Sequence, residues 1–121
     1  MARWLSSLRL VLLVTLAVVL GTAIARDDLS QISVRDLPPE ARQTLRLIQQ
    51  GGSFPYGKDG STFGNYEKLL PSRPRGHYRE YTVPTPGARN RGARRIIAGR
   101  EGECYYTANH YRSFSRIREV R

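Results

Sequence analysis

The helical pattern between residues 38 and 50 is the feature that most constrains the fold of this chain. Pro38 and Pro39 stand where the first turn of a helix tolerates a missing N–H. Glu40 follows, where a negative charge suits the helix dipole, and Gly51-Gly52 marks the end. Apolar residues recur at helical spacing on one face, namely Leu37, Ala41, Leu45 and Ile48. The pattern predicts one helix whose apolar side packs on a core.

Outside this helix the sequence consists mainly of short strand candidates separated by turns. Each is rich in β-branched or aromatic residues and is bounded by Gly, Pro or Asn. They are residues 31–34, 78–83, 94–98, 104–107 and 113–117. Residues 53–77 are rich in Gly, Pro, Ser and Tyr, which predicts a long ordered loop interrupted by short strand pieces. We therefore expect an α+β fold, with one N-terminal helix on a small antiparallel β-sheet whose other face stays open to solvent or ligand.

The first 25 residues have the pattern of a secretory signal peptide. Arg3 and Arg9 provide a positive start, an apolar stretch follows, and Ala23-Ile24-Ala25 forms a small-x-small cleavage site. The alternative is a retained membrane anchor, although the uncharged run of 16 residues is shorter than the roughly 20 that span a bilayer. We expect a secreted, extracellular protein whose folded domain is residues 26–121.

This domain carries a large positive charge. All ten Asp and Glu and eighteen of the twenty Lys and Arg lie beyond Ala25, which makes its net charge +8. Such a surplus suits a polyanion: nucleic acid, an anionic membrane surface or an acidic protein. Cys104 is the only cysteine, so its thiol is either partly buried or open to intermolecular pairing. One cysteine and two distant histidines form no ligand cluster of recognised spacing, and no metal site is predicted.

Three separate segments carry residues suited to chemistry on a phosphate. Side chains alternate along a strand, so Glu80 stands on the open face of the sheet if Tyr81 faces the helix. Four arginines lie within residues 89–95, where a loop arginine and a strand arginine can converge on one phosphate. His110 is the third candidate. Taken singly, Glu80 also fits a solvated strand residue, the arginines a charged surface, and His110 a structural or exposed histidine.

Together the three segments supply what RNA cleavage requires. RNA carries its own nucleophile, the ribose 2′-OH. An enzyme needs only to remove that proton, hold the phosphate as charge builds and protonate the leaving 5′-oxygen. A carboxylate, two arginines and a histidine suffice. Unperturbed pKa values of about 4.3 for Glu and 6.5 for His leave a pH window in which the base is ionised and the acid protonated. No metal and no cofactor is needed.

Several short stretches, in order through nearly all of the domain, match one family pattern. They are Leu37-Pro38-Pro39-Glu40-Ala41, Phe54-Pro55-Tyr56, Asp59-Gly60, His77-Tyr78-Arg79-Glu80-Tyr81-Thr82-Val83, Thr85-Pro86-Gly87-Ala88-Arg89, Arg91-Gly92-Ala93-Arg94-Arg95-Ile96-Ile97, Tyr105-Tyr106-Thr107, His110-Tyr111 and Phe114-Ser115. This set resembles the guanyl-specific microbial ribonucleases related to barnase, particularly their small actinobacterial branch. The resemblance implies a metal-independent endoribonuclease that cleaves single-stranded RNA 3′ of guanosine, through a 2′,3′-cyclic phosphate that is then hydrolysed.

The resemblance also implies roles for individual residues of this sequence. Glu80 matches the general base and His110 the general acid. Arg91 and Arg95 match the pair of arginines that binds the phosphate. Tyr111, beside the acid, matches a tyrosine that helps to hold the phosphate.

Guanine recognition maps onto five consecutive residues, Phe63, Gly64, Asn65, Tyr66 and Glu67. Glu67 is expected to accept hydrogen bonds from guanine N1–H and N2–H₂, while backbone groups of residues 64–66 meet O6 and N7. Adenine has no matching donor pair and would leave the carboxylate unpaired. Close relatives carry longer polar residues where this chain has Gly64 and Tyr66. Guanine preference survives if the backbone reads the base and is looser if those side chains matter, and Tyr66 can add stacking on a base.

The implied partners are RNA and a small acidic inhibitor of the barstar kind, held by electrostatic complementarity with the arginine-lined site. We expect a monomer with no stable membrane association after signal cleavage. A basic nucleic-acid-binding module without catalysis is the second hypothesis, but it would gain nothing from Glu67 and Glu80. A membrane-active cationic protein is the third, and it would need an amphipathic basic helix.

Overall fold

The computed structural model describes residues 29–120, and the predicted signal peptide of residues 1–25 lies outside the described residues. In chain order the elements are β1 (Ser30–Ser33), a 3₁₀ turn (Val34–Asp36), helix α1 (Pro39–Gln50), β2 (Ser61–Thr62), β3 (Tyr78–Thr82), β4 (Arg95–Gly99), β5 (Cys104–Thr107) and β6 (Ser115–Arg118). None of the helices in this part of the chain has the length and apolar character needed to cross a membrane.

Helix α1 begins and ends where the sequence predicts. Pro39 occupies its first position, and Gly51 follows its last residue with a left-handed φ of 83°. The Gly51 N–H donates to the carbonyl of Ile48 at 3.3 Å, which satisfies a carbonyl that the helix leaves free. The predicted apolar face is also confirmed. Leu37, Ala41 and Leu45 are buried, and Ile48 packs against them while partly exposed.

All six strands belong to one sheet, in the order β1-β6-β5-β4-β3-β2. Neighbours from β2 to β6 are antiparallel, as expected. The α+β prediction is confirmed, but the sheet is mixed, because β1 runs parallel to β6 with Ser30 opposite Ser115. These two strands lie 85 residues apart in the chain. Their relative direction depends on where the rest of the fold places the chain ends, which local patterning does not encode.

Helix α1 covers one face of the sheet with a continuous apolar core. The sheet contributes Ile96, Cys104, Tyr106 and Ile117 to it, and Val83, the residue that follows β3, joins them. Full burial of a Val or Ile side chain stabilises a fold by about 1.5–3 kcal/mol. A polar contact adds to the packing, since the Thr44 hydroxyl donates to the carbonyl of Thr82 at 3.1 Å. The helix is therefore joined to β3, the strand that carries Glu80.

The opposite face of the sheet is not open along its whole length, which differs from the prediction. A second apolar cluster covers it and contains Leu70, Tyr78, Ile97, Tyr105 and Phe114. Leu70 belongs to the long loop before β3, and Phe114 lies just before β6, so segments without regular structure supply the cover. Such packing cannot be seen from period-two alternation on the strands. Polar side chains gather at the end of this face, where β3 reaches Thr82.

Cys104 is buried in the core on the helix side, and burial raises the pKa of its thiol to about 12. The thiolate is the reactive form of cysteine, so the native thiol is protected both chemically and sterically. We expect Ellman's reagent at about pH 8 to label Cys104 far more slowly in the native protein than after unfolding in guanidinium. Equal rates in the two states would contradict this burial.

Candidate active site

Three polar side chains form a row across the sheet. Thr82, Arg95 and Thr107 are lateral neighbours on β3, β4 and β5, and all three are almost fully buried. Buried polar groups are costly unless they are hydrogen-bonded. Here each is bonded to a candidate residue. The hydroxyl of Thr82 accepts from Arg91 Nε at 3.0 Å, and that of Thr107 accepts from the Tyr111 backbone N–H at 3.1 Å. The three buried side chains therefore hold Arg91 and Tyr111 in position on the sheet.

Glu80 is held by two donors on separate carboxylate oxygens. Its Oε1 accepts from Arg91 Nη2 at 3.0 Å, and its Oε2 accepts from the Tyr111 hydroxyl at 3.1 Å. The Glu80 side chain is 16% exposed and that of Arg91 25%, so solvent reaches the pair only partly. Both donors bond best to an ionised carboxylate. The arrangement therefore presents an oriented carboxylate at the edge of a cleft.

Arg95 is 2% exposed and is fixed by three hydrogen bonds. Its Nη1 donates to the carbonyls of Gly92 and Arg94 at 3.0 and 2.8 Å, and its Nε donates to the Tyr111 hydroxyl at 3.2 Å. The guanidinium also lies over the Tyr111 ring, 5.9 Å from its centroid. A guanidinium immobilised in this way is a fixed positive charge, joined to the Glu80 carboxylate through the Tyr111 hydroxyl.

His110 projects from a turn that its neighbours close. The Asn109 side chain accepts from the Ser113 N–H at 3.0 Å and donates to the Ser113 hydroxyl at 2.8 Å. The His110 N–H donates to the carbonyl of Ala93 at 2.9 Å, which ties the turn to the arginine loop. The His110 side chain is exposed, and its ring lies 4.8 Å from the ring of Tyr111. An exposed imidazole held by backbone geometry is available to a ligand.

Tyr111 stands at the centre of this arrangement. Its hydroxyl meets Glu80 and Arg95, and its ring contacts His110. Burial, followed by the nearby Glu80 carboxylate, raises the pKa of Tyr111. Since the phenol then stays protonated, it remains a donor while the carboxylate is ionised. Tyr111 thus links the candidate base to the candidate acid.

The other histidine lies elsewhere. His77 is buried, and its Nε2 lies 2.9 Å from Glu103 Oε2, a hydrogen bond between two largely buried side chains that precede β3 and β5. His110 is therefore the histidine that the structure brings to the arginines. Among residues 29–120, no three His, Cys, Asp or Glu side chains are grouped so as to hold a metal ion.

A cleft of about 290 Å³ adjoins Glu80 and Tyr111. All five residues proposed for guanine recognition line it: Phe63, Gly64, Asn65, Tyr66 and Glu67. The Phe63 ring packs 5.2 Å from the Tyr111 ring and 5.9 Å from the Phe114 ring, so one wall is a rigid aromatic surface. Through these contacts the structure brings all ten predicted site residues into one continuous site.

Asn65 closes the loop on the other side of the cleft. Its side-chain amide donates to the carbonyl of Leu70 at 3.0 Å, and its oxygen accepts from the Leu70 N–H at 3.1 Å. Asn65 also has a positive φ of 52°, a conformation that asparagine tolerates better than most residues. Because its side chain is used to close the loop, the groups that Asn65 leaves available to the cleft are those of its backbone. Glu67 is exposed within this loop.

The family of the chain follows from comparison with known proteins. A family model described as ribonuclease matches residues 22–118. The chain belongs to this ribonuclease family. Guanyl-specific ribonuclease St of Saccharopolyspora erythraea is 51% identical to it over 84 residues, which are 69% of this chain and 83% of that protein. Guanyl-specific ribonuclease Sa of Kitasatospora aureofaciens is 57% identical over 82 residues, 67% of this chain and 85% of that protein.

The fold of this ribonuclease is likewise similar to solved structures. That of ribonuclease Sa2 in complexes with mononucleotides matches with a TM-score of 0.74 and 41% identity, covering 76% of this chain and 96% of the other. The resemblance inferred from the motifs is thereby confirmed, and so is its implication that the chain is an endoribonuclease.

Sequence reasoning missed two residues in the site of this ribonuclease, Thr82 and Thr107. Both are buried beneath the site and bond to residues with proposed roles. A signal was available for Thr82, since it lies two residues beyond Glu80 and therefore on the same face of β3. Thr107 ends β5 three residues before His110. Both threonines are polar residues at the end of a strand, with the side chain on the face of the sheet away from the helix.

Proposed function

We propose that this ribonuclease cleaves single-stranded RNA on the 3′ side of guanosine, with Glu80 as general base and His110 as general acid. The observation that carries the proposal is the position of Glu80, held by Arg91 and Tyr111 at the edge of a base-sized cleft. The names of the relatives agree with guanine preference. Solved structures of ribonuclease Sa2 contain guanosine-2′-cyclophosphate and 3′-GMP.

In the first step Glu80 takes the proton of the ribose 2′-OH, and the 2′-oxygen forms a bond to phosphorus. The bond from phosphorus to the 5′-oxygen breaks, and His110 gives its proton to that oxygen. The products are a guanosine 2′,3′-cyclic phosphate end and a free 5′-OH. In the second step His110 removes a proton from water, and the water oxygen forms a bond to phosphorus. The bond from phosphorus to the 2′-oxygen breaks, and Glu80 returns its proton to that oxygen, which leaves a guanosine 3′-phosphate end.

Negative charge builds on the phosphate oxygens during both steps. The guanidinium groups of Arg91 and Arg95 are positive charges already fixed by Glu80 and Tyr111, so they stabilise this charge without large rearrangement. The Tyr111 hydroxyl donates to Glu80 in the free protein, and it can donate to the phosphate once Glu80 has taken the 2′-OH proton. Removing one such preorganised donor in other enzymes costs about 10²–10³ in kcat. The reaction needs no metal for charge stabilisation, because two guanidinium groups provide it.

Guanine selection rests on Glu67 and the backbone of residues 64–66. The carboxylate accepts from N1–H and N2–H₂ of guanine, and the loop closed by Asn65 keeps the neighbouring backbone groups in place for O6 and N7. Adenine lacks the donor pair. Glu67 is exposed in the free protein, and a bound adenine would cover its carboxylate without supplying hydrogen-bond donors, which is the kind of mismatch that discriminates strongly.

The dinucleotides GpA, ApA and UpA test this proposal directly. In EDTA we expect GpA to yield guanosine 2′,3′-cyclic phosphate and adenosine, with ApA and UpA cleaved at least about 10²-fold more slowly. Similar rates for all three would show that the protein is a ribonuclease whose loop does not select guanine. A folded sample that binds RNA in a salt-dependent way and cleaves none of them would instead indicate a nucleic-acid-binding module.

Glu67→Gln is expected to lower kcat/KM on GpA by about 10²-fold and to leave ApA cleavage nearly unchanged. The amide can accept one guanine N–H but presents its own N–H to the other. Glu67 is exposed, so the melting temperature is expected to stay the same. Glu101→Gln is the matched control, because it removes the same charge from an exposed site outside the cleft. An unchanged ratio of GpA to ApA rates would refute the role of Glu67.

The setting of the enzyme belongs to the same proposal. The pattern of residues 1–25 supports secretion with removal of a signal peptide, which would place a monomeric domain of residues 26–121 outside the cell. The arginines of the site support a small acidic inhibitor of the barstar kind as protein partner. Size-exclusion chromatography tests whether the domain is a monomer, and titration with such an inhibitor tests the protein partner.

A further inference from the structure

A second groove, of about 240 Å³, lies beside the base-binding cleft. We call it the flanking groove. Its lining residues are Leu29, Leu69, Arg112, Ser113 and Phe114. Leu69 and Phe114 also line the base-binding cleft, so the two cavities share a wall. A ligand that extends beyond a base bound in the cleft can therefore reach the groove directly.

The polar wall of the flanking groove is fixed by hydrogen bonds. The Ser113 N–H donates to the side-chain oxygen of Asn109 at 3.0 Å, and the Ser113 hydroxyl accepts from Asn109 Nδ2 at 2.8 Å. The Ser30 hydroxyl donates to the carbonyl of Phe114 at 3.3 Å, and Leu29 packs against the apolar cluster that contains Phe114. Because the groove is formed in the free protein, a ligand pays little to reorganise it.

Two side chains of the flanking groove are left for a ligand. Arg112 is exposed and, within residues 29–120, makes no hydrogen bond or ion pair, whereas Arg91 and Arg95 are held by several. Leu69 is 40% exposed, an unusual extent for a large hydrophobic side chain in this structure. A guanidinium without a partner suits a phosphate, and an exposed leucine is stabilised when apolar surface covers it. A nucleotide supplies both.

The position of the groove indicates which side of the guanosine it serves. Neither Glu80 nor His110 lines it. Leu29 precedes β1, whereas Glu80 lies in β3, and three strands separate β1 from β3 in the sheet. In the proposed reaction the scissile phosphate, and all RNA on its 3′ side, lies at Glu80 and His110. The RNA that continues from the 5′-oxygen of the guanosine is therefore the part available to the groove.

We propose that the flanking groove binds the nucleotide on the 5′ side of the cleaved guanosine, with Arg112 on its phosphate and Leu69 against its nucleoside. The inference rests on the proposed function, in which guanine occupies the neighbouring cleft. Neither contact reads the edge of a base, so the groove raises affinity without adding a sequence preference. The preferred substrate is then an RNA that extends upstream of the guanosine.

The trinucleotides ApGpA and GpApA, which carry equal charge, test the proposal against GpA. Cleavage after guanosine releases adenosine from ApGpA and ApA from GpApA. We expect kcat/KM for ApGpA to exceed that for GpA by roughly 3- to 20-fold through a lower KM, the range for one exposed charged contact and partial cover of a leucine. Equal kcat/KM for ApGpA and GpA would overturn the proposal.

Arg112→Gln identifies the side of the guanosine that the groove binds. We expect it to bring the ApGpA to GpA ratio of kcat/KM close to one and to leave the GpApA to GpA ratio at its parent value. The opposite pattern would assign Arg112 to the 3′ side and overturn the proposal. Arg100→Gln is the matched control, because it removes the same charge from an exposed arginine between β4 and β5. Equal losses in the two variants would reduce Arg112 to long-range attraction of RNA.

The dinucleotide pGpA separates the two contacts of the groove, because it carries the 5′ phosphate without the upstream nucleoside. Relative to GpA, we expect Arg112→Gln to reduce the advantage of both pGpA and ApGpA, and Leu69→Ala to reduce only that of ApGpA. Leu69 also lines the base-binding cleft, so each variant is compared with its own rate on GpA. If Leu69→Ala left the advantage of ApGpA unchanged, the nucleoside contact would be refuted.

Calorimetric titration tests the groove independently of cleavage. Guanosine 3′,5′-bisphosphate is expected to bind the parent more tightly than 3′-GMP does, and Arg112→Gln is expected to remove that difference. Equal affinities of the parent for the two ligands would overturn the phosphate contact. Equal cleavage of GpA and ApA would refute guanine selection in the proposed function, while a tighter bisphosphate would still support the groove.

Discussion

On GpA, Glu80→Gln and His110→Ala are each expected to lower kcat by about 10²–10⁴-fold. Glutamine has nearly the shape of glutamate and can still accept a hydrogen bond from Arg91 or Tyr111, but it cannot take the 2′-OH proton. KM of Glu80→Gln is expected to stay equal or fall, since the neutral amide no longer compensates the positive charge of Arg91 that attracts the phosphate. His110 is exposed, so its removal costs little stability.

A substrate with an activated leaving group distinguishes the two roles. In guanosine 3′-(4-nitrophenyl phosphate) the leaving nitrophenolate is stable as an anion and needs no proton. The rate of His110→Ala on this ester is therefore expected to approach that of the parent enzyme. Glu80→Gln stays slow on both substrates, because the 2′-OH must still be deprotonated. Recovery of His110→Ala on the activated ester, without recovery of Glu80→Gln, is specific to an acid and a base. Misfolding would slow a variant on both substrates.

Two controls make the result decisive. The melting temperatures of both variants should match that of the parent within the spread of Glu101→Gln, an exposed glutamate outside the site. The logarithm of kcat plotted against pH should lose its acidic limb in Glu80→Gln and its basic limb in His110→Ala. Equal loss on both substrates in His110→Ala would exclude it as general acid, even with an intact fold.

How far the sequence predicts this site is clearest for Glu80. Period-two alternation places Glu80 and Tyr81 on opposite faces of β3, and the structure agrees. The Tyr81 ring packs 4.8 Å from Phe54, while Glu80 faces Tyr111. The ends of helix α1 were predictable for the same reason, since Pro39 and Gly51 act through their own backbone geometry. These features depend only on a residue and its neighbours in the chain, so they can be predicted without knowing the rest of the fold.

The turn that carries His110 could not be predicted. His110 and Tyr111 have φ values of 58° and 70°, in a region that non-glycine residues rarely adopt. Such strain costs of order 1–3 kcal/mol per residue and persists where neighbours over-determine it. Here Asn109 bonds to Ser113, and Thr107 accepts from the Tyr111 N–H. These two contacts are local, because each joins residues four apart in the chain. The third tie, from the His110 N–H to the carbonyl of Ala93, forms only in the folded chain, so the turn propensities of single residues do not indicate it.

The cover over the open face of the sheet was unpredictable for a related reason. Leu70 lies in a segment with no strand or helix periodicity, so nothing in its spacing assigns it to a core. Phe114 lies at the start of the predicted strand 113–117 but just before the observed β6, so its packing did not follow from strand alternation. Their packing narrows the accessible part of the face to the cleft beside Glu80. In the same way, the hydrogen bond that Arg75 Nη1 donates to the Tyr66 hydroxyl at 2.9 Å depends on how the loop folds back, and not on any motif.

Arg95→Lys is the second variant for which we expect a large effect, a fall in kcat of about 10²–10³-fold. Lysine keeps the charge but replaces a planar fork with a single ammonium group on a flexible stem. It cannot bond at once to the Gly92 and Arg94 carbonyls and to the Tyr111 hydroxyl. The positive charge proposed to bind the phosphate then loses its fixed position. Because electrostatic stabilisation of the transition state depends on that position, the rate falls.

Stability is expected to fall in the same variant, and Arg94→Lys is the control that separates the two effects. A buried acceptor left without a donor costs about 1–3 kcal/mol, and each kcal/mol lowers Tm by roughly 4–8 °C in a domain of this size. Arg94 lies beside Arg95 but bonds to Glu40 on the helix side. Its replacement should lower Tm and affect kcat far less. If Arg94→Lys reduced kcat as much as Arg95→Lys at temperatures where both are folded, the role of Arg95 would be structural support of the site rather than contact with the phosphate.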